Sequence, residues 1–374
     1  MTAQKHKSID PITWLNSYDL YPKFFWKAKG SDCEIATIGS KLEVNDLSQI
    51  DDHKNPFNVV LSFDLDPNKS RIWVPSFELH KCFDETFIVS NVDFPLKKNN
   101  DNQVQKSNKV QSLSNRPDFR DWSSSIIKAK KKMKKVVLAR RQSILMEGDV
   151  CALKVFSKLR KKSKNSFLFF YQPGPKEAFL GSSPETLFVK KDQTIISESI
   201  AGTRKRGEND TQDINLKDAL LKSEKDLKEF KYVKDYIKSI YEKICVDYEA
   251  SEIDICKTNW VQHLYVKFLG RLKKDLGNKE LIKLFHPTPA VGGTPKVDAL
   301  DFIKKVELFE RNYYAAPIGR ASKSFSEFAV GIRSCHIKEN QIDTFAGTGI
   351  IDSSNAQDEW LELENKSNWI FEVI

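Results

Sequence analysis

Lys135-Val136-Val137-Leu138-Ala139-Arg140 is the stretch on which the reading of this chain turns. Val136–Leu138 is a short apolar run led by two β-branched residues and reads as a strand. It emerges from a run with six lysines in the eight positions 128–135. By itself that run is a solvated helix face or loop, and nothing in it singles out Lys135. Five further segments follow in order and read, with the first, as turns of a site. They are Gly181-Ser182-Ser183-Pro184-Glu185, Ser199-Ile200-Ala201-Gly202-Thr203-Arg204, His286-Pro287-Thr288-Pro289-Ala290, Gly331-Ile332-Arg333-Ser334 and Phe345-Ala346-Gly347-Thr348-Gly349-Ile350.

Two acidic helices accompany these segments. In Ser223–Phe230, Asp226 and Glu229 stand at i and i+3; in Asp358–Lys366, Glu359 and Glu362 repeat the spacing, with Lys366 at i+7 from Glu359. Residues three or four apart share one helix face. Either helix alone is an ordinary solvated acidic face. Converging, the two faces would offer a hard cation the oxygen ligands it takes.

The surrounding pattern is mixed. Phe119, Trp122, Ile126 and Ile127 fall at i, i+3, i+7 and i+8, so Asp118–Met133 is expected to be helical. Val150–Leu159 reads as a helix, Phe167–Tyr171 as a strand, and further strands flank Gly181 and cover Gln193–Ile200. One long helix is expected from about Asn215 to Ile244. After 276 helices alternate with strands, ending in strands at Phe328–Ile332 and Ile342–Phe345 and a helix from Ser354, where Ser354 and Gln357 form a capping box. Residues 12–96 hold short runs such as Phe24-Phe25-Trp26, Glu34–Gly39 and Asn58–Phe63, which read as strands between turns. Lys97–Asn115 is polar and reads as a loop or linker. The expected class is α+β with antiparallel strands. It divides into a strand-rich segment over 1–96, a linker over 97–115 and a region 116–374 that carries the motifs.

Composition bounds the partners. The 374 residues suffice for a large core in one or two domains. With 40% hydrophobic and 11% aromatic residues the chain is globular. No apolar stretch reaches 18 residues, so no membrane partner is expected. Met1–Pro11 is polar and lacks a signal core, which points to the cytoplasm. Six cysteines lie scattered without a C-x-x-C pair, so free thiols are expected rather than a zinc or redox site. Net charge is +9, but the basic run lacks interleaved aromatics, so no nucleic acid is expected. A small dianion would gain from the same positive field.

In this order and with these gaps, the six segments and two acidic helices resemble the chorismate-binding enzymes: isochorismate, salicylate, anthranilate and aminodeoxychorismate synthases. The resemblance runs from about Lys134 to Lys366, and is loose in the N-terminal third, at Phe25-Trp26 and Ile35–Gly39. It implies one large α/β sandwich of two similar halves, with mostly antiparallel strands, outer helices and a site between the halves. It implies an isomerase that adds water at C2 of chorismate and expels the C4 hydroxyl. The lysine before V-V-L-A/S-R marks water-using members of the family, which makes Lys135 the base and Glu185 the acid. Magnesium would be held by Glu229 and Glu362, with Glu359 and Asp226 helping directly or through water.

Gly202, Thr203, Gly347, Gly349, Arg333 and Lys366 are the implied dianion-binding residues. Glycines let backbone N–H groups approach a carboxylate, and Arg333 suits the enolpyruvyl carboxylate in a two-pronged pair. Tyr314 matches a family tyrosine near the same group. Where the family commonly has glycines this chain has Asn312 and Ala316, and Ala316 is expected to crowd a close turn. His286 is expected to shape the site, and His263 to be a satisfied buried histidine. Lys135 argues against anthranilate synthase, and Ala201 against the aminodeoxychorismate enzymes, so no glutaminase subunit is expected. The leading reading is a magnesium-dependent isochorismate synthase of menaquinone or phylloquinone synthesis, with salicylate synthase as runner-up and a non-catalytic chorismate binder as a distant alternative.

Overall fold

The computed structural model describes residues 2–6, 9–92 and 109–374, the first of these as backbone only. The expected sandwich of two antiparallel sheets with outer helices is what the described chain forms. The first sheet runs Thr2–His6, Glu85–Ser90, Phe77–Cys82, Cys33–Ile38, Lys23–Lys27, Phe167–Gly174, Glu177–Ser183, Ser334–Lys338, Gln341–Ile350, Lys135–Met146 and Gly293–Thr294. The second runs Cys245–Ala250, Val261–Leu272, Thr194–Lys205, Thr186–Lys191, Phe325–Val330, Pro317–Ala321, Phe57–Val60, Arg71–Val74 and Leu42–Val44. The N-terminal strands are thus built into both sheets and pair with later strands in each.

Period-2 alternation explains the layering. Phe24 and Trp26 point to one side of their strand, and Phe167, Phe169 and Tyr171 do the same on theirs; all join Val60, Trp73, Ile318 and Ala329 of the other sheet in the layer between the sheets. Phe25, Leu168 and Phe170 point the opposite way and pack under Trp14, Phe156 and Leu159 of outer helices. Fully burying each aromatic contributes about 1.5–3 kcal/mol. Helices Phe119–Lys132 and Ala356–Ser367 cover Val136, Leu138, Ala346 and Ile350 with Trp122, Ile126 and Leu363. Helix Glu224–Ile244 covers the second sheet through Phe230, Val233, Ile237 and Tyr241.

Several expectations need correction. The motif segments around Lys135 and Gly347 are not turns but strand, paired with each other from Val136↔Ile350 to Leu145↔Gln341. The strand expected at Val136–Leu138 extends over Lys135–Met146, because a neighbour on each side pairs with its polar half. Val110–Arg116, placed in the linker, is one of those neighbours; its side chains are mostly exposed and, apart from Val110 and Leu113, polar. The rest of the linker, 97–108, lies outside the described residues. The single helix from Asn215 is two, Asp210–Lys222 and Glu224–Ile244, and Ser223 ends one and caps the other by accepting from the Asp226 N–H. The last helix is capped by Asn355, not Ser354, whose hydroxyl instead accepts from the Ile351 N–H. Cys33 and Cys82 face each other across paired strands and form a disulfide, leaving Cys151, Cys245, Cys256 and Cys335 free. Among the described residues no helix is long and apolar enough to cross a membrane.

Candidate active site

Val136 and Leu138 face the outer helices, so Lys135 and Val137 face inward. Val137 lines a cavity whose wall also carries Glu185, Gly202, Thr203, Glu229, Tyr314, Arg333, Gly347, Gly349, Glu362 and Lys366. Residues from two sheets and two helices therefore meet in one place. Lys135 itself lies behind this wall: it is fully buried, and its Nζ sits 3.2 Å from Glu229 Oε1. Gly349 makes that approach possible, since a Cβ there would overlap the Glu229 carboxylate and Lys135 Cε.

Glu185 occupies the short break between strands Glu177–Ser183 and Thr186–Lys191 and is 3% exposed. Burial pushes its carboxyl up to about 8, against the pull of Lys135 and with the push of Glu198. It therefore carries a proton at neutral pH, as a general acid requires.

The four acids separate into an inner and an outer pair. Glu229 and Glu362 line the cavity, and each has a lysine partner, Lys135 at 3.2 Å and Lys366 at 2.6 Å. Burial raises Glu229, and the Glu362 charge raises it further. Burial works against Glu362 as well, but Lys366 and its other partners hold that carboxyl low. Asp226 and Glu359 stand outside the wall. Asp226 is paired with Arg204 at 2.6 Å, and Glu359 with Lys225 at 2.5 Å and with the Thr348 hydroxyl at 2.6 Å. The Thr348 hydroxyl also lies 3.0 Å from Glu362 Oε1. Among the described residues no three acidic, histidine or cysteine groups stand close enough to hold a metal by themselves.

Arg333 is half-buried in the cavity wall at φ 51°, a left-handed conformation that costs a non-glycine residue about 1–3 kcal/mol. Burial lowers it to about 10, and among the described residues it forms no ion pair. A half-buried guanidinium that lines a cavity without an ion-pair partner is suited to meet an anion there. Tyr314 stacks on Phe345 at 5.1 Å and reaches toward Gly347. Ala316 itself is not in the left-handed region. The left-handed positions are Asn312 at φ 48° and Ala315 at φ 61°. Lys366 donates to the Gly347 carbonyl at 2.9 Å. Gly202 is left-handed at φ 65°, where its strand slips register between Ala201 and Arg204.

The histidines exchange places with expectation. His263 lines the cavity: its Nδ1 lies 2.9 Å from the Gly202 carbonyl, while the buried Nε2 has no partner. Burial and Arg333 push it down to about 3, so the ring is neutral and offers Nε2 as an acceptor. Sequence reasoning misses it because a lone histidine on an apolar strand carries no distinguishing signal. His286 lies in a different cavity, bonded to the Phe63 carbonyl at 2.8 Å.

Residues 68–374 match the family described as chorismate binding enzyme, and the chain belongs to that family. It is 35% identical over 272 residues to the chloroplastic isochorismate synthase of Catharanthus roseus, covering 70% of this chain and 47% of that one. To the isochorismate synthase MenF of Bacillus subtilis it is 34% identical over 269 residues, covering 70% of this chain and 57% of that one. The chain thus spans about half the length of these curated relatives. Its fold is that of the menaquinone-specific isochorismate synthase MenF from Escherichia coli, at a TM-score of 0.88 and 24% identity over 100% of this chain and 94% of that one.

Proposed function

We propose that the chain is an isochorismate synthase, a magnesium-dependent isomerase that converts chorismate to isochorismate for menaquinone or phylloquinone synthesis. The observation that carries it is a buried, protonated Glu185 in the same cavity wall as Arg333 and Glu229, with Lys135 behind Glu229. Relatives named isochorismate synthase support the same reading.

In this reaction Arg333 binds the enolpyruvyl carboxylate, Tyr314 supports it, and Gly202, Thr203, Gly347, Gly349 and Lys366 complete the dianion pocket. Lys135 is the base implied for the water that attacks C2: from behind Glu229 it receives that water's proton, as the neutral amine, through the Glu229 carboxylate 3.2 Å away. Glu185 gives its proton to the departing C4 hydroxyl and is left as the carboxylate. The two inner carboxylates fit a hard divalent cation, because two like charges lining one cavity gain from a positive charge between them and from the oxygen ligands of water or substrate. Glu229 and Glu362 would hold magnesium, with Glu359 and Asp226 behind them. When bound, the ion neutralises the ring carboxylate of the substrate.

The test is incubation of the pure protein with chorismate and magnesium, with products resolved by chromatography. Isochorismate without added ammonia or a glutaminase is the expected product. Salicylate with pyruvate would replace the reading with the salicylate synthase one, and anthranilate on adding ammonia would overturn the role of Lys135.

A further inference from the structure

We propose that Lys29 and Glu198 form a buried charge clamp that grips the backbone on both sides of Glu185 and fixes that carboxyl as the proton donor. Lys29 Nζ donates to the Pro184 carbonyl at 3.0 Å and to Glu198 Oε2 at 2.9 Å. The Thr186 N–H donates to the same Glu198 oxygen at 3.3 Å. The residue before Glu185 and the residue after it are thus tied to one ion pair. The Tyr265 hydroxyl donates to the other Glu198 oxygen at 2.9 Å, and its ring lies 5.2 Å beneath Lys29 Nζ. The two charged side chains are only 11% and 9% exposed.

Neither Lys29 nor Glu198 lines the cavity, so both are positioning residues rather than catalytic ones. Lys29 comes from the N-terminal third, upstream of the 68–374 segment that matches the family. The clamp acts on charge as well as place. The groups acting on Glu185 are Lys135, Glu198, Lys29 and Lys366, and Arg333 and Tyr314 also feel its charge. Burial is the largest push on the carboxyl; Glu198 adds to it and Lys29 opposes it. Each also screens the other, so losing one member exposes the full charge of its partner.

This inference rests on the proposed reaction, in which Glu185 donates a proton. It is tested on the basic limb of the kcat–pH profile for chorismate turnover with magnesium. Glu198→Gln, which keeps an acceptor for Thr186, should move the limb to lower pH by about one unit, and Lys29→Gln should move it upward by about as much. The double variant, with a neutral pair, should return the limb near its original place, and Lys29→Arg should leave it there. Melting by circular dichroism separates folding from chemistry, and if one single variant fails to fold, the other single and the double decide. Unmoved limbs, or limbs moved the same way in both single variants, overturn the clamp while turnover of the unaltered protein keeps the reaction. An unaltered protein that makes no isochorismate overturns the reaction instead.

Discussion

At Glu185 the surroundings favour the protonated carboxyl, which suits the donor's part in the proposed reaction. A carboxyl pushed up to about 8 is a donor below that pH and spent above it. Turnover should therefore fall as pH rises through about 8, checked by the kcat–pH profile. Glu185→Gln and Lys135→Ala should each lower kcat by about two or more orders of magnitude, the usual size of a general acid–base effect. Glu185→Gln should not lower the melting temperature, because it replaces a buried ionisable group with a neutral one of the same shape. Near-normal turnover in Lys135→Ala, or an equal loss on changing Lys134, would show that another lysine of the run acts as base. The sequence singled out Lys135 and Glu185 only through the motif resemblance. It held no sign that Lys135 sits behind Glu229 or that His263 faces the cavity, since both depend on which way a strand turns its side chains.

The two acid-bearing helices show what spacing does and does not reveal. The i, i+3 rule placed Asp226 beside Glu229 and Glu359 beside Glu362, and each residue is on the inner side of its helix. Spacing alone did not say that one acid of each pair reaches the cavity while the other is held by Arg204 or Lys225. That division predicts graded effects. Glu229→Ala and Glu362→Ala should abolish magnesium-dependent turnover and weaken chorismate binding, while Asp226→Asn and Glu359→Gln should do less, because water can replace an outer ligand. The measurement is turnover against magnesium concentration, with Glu208→Ala as an exposed control; activity that survives a chelator would remove the metal from the site. The strand Val110–Arg116 was illegible for a related reason. Its mostly polar, exposed side chains carry no period-2 alternation, and its backbone pairing with Lys135–Met146 makes it a strand.

At the scale of the whole molecule, polar contacts join the two sheets across the layer between them. Arg320 of one sheet meets Glu78 of the other at 2.6 Å, and Trp26 donates to Glu327 at 2.7 Å. Burial alone would raise the Glu78 carboxyl, but Arg320 and His80 pull it from 4.5 to about 2. A carboxyl held low in the folded state stabilises fully above its unfolded value, here 4.5, and the gain is lost as pH falls through about 2. Glu78→Gln, which leaves Arg320 buried and unpaired, should cost about 3–5 kcal/mol at pH 7. Denaturant titrations of both proteins should converge as pH approaches about 2, and an equal difference at both pH values would sink the ion-pair account. The class of fold was legible in the alternating strands and periodic helices. The pairing of Cys33 with Cys82 and of Val60 with Ile318 was not, because register between distant strands leaves no local trace.

The strand that carries Lys135 is completed by Gln341–Ile350, which arrives some two hundred residues later. A ribosome adding about 5–20 residues per second needs roughly 10–40 seconds to cover that interval. For all of it, the Val136–Leu138 segment lacks its partner and presents an apolar sheet edge to whatever else is in reach. The candidate active-site cavity is therefore a late product of synthesis, and the nascent chain is most vulnerable to misassociation at the strand that will line it.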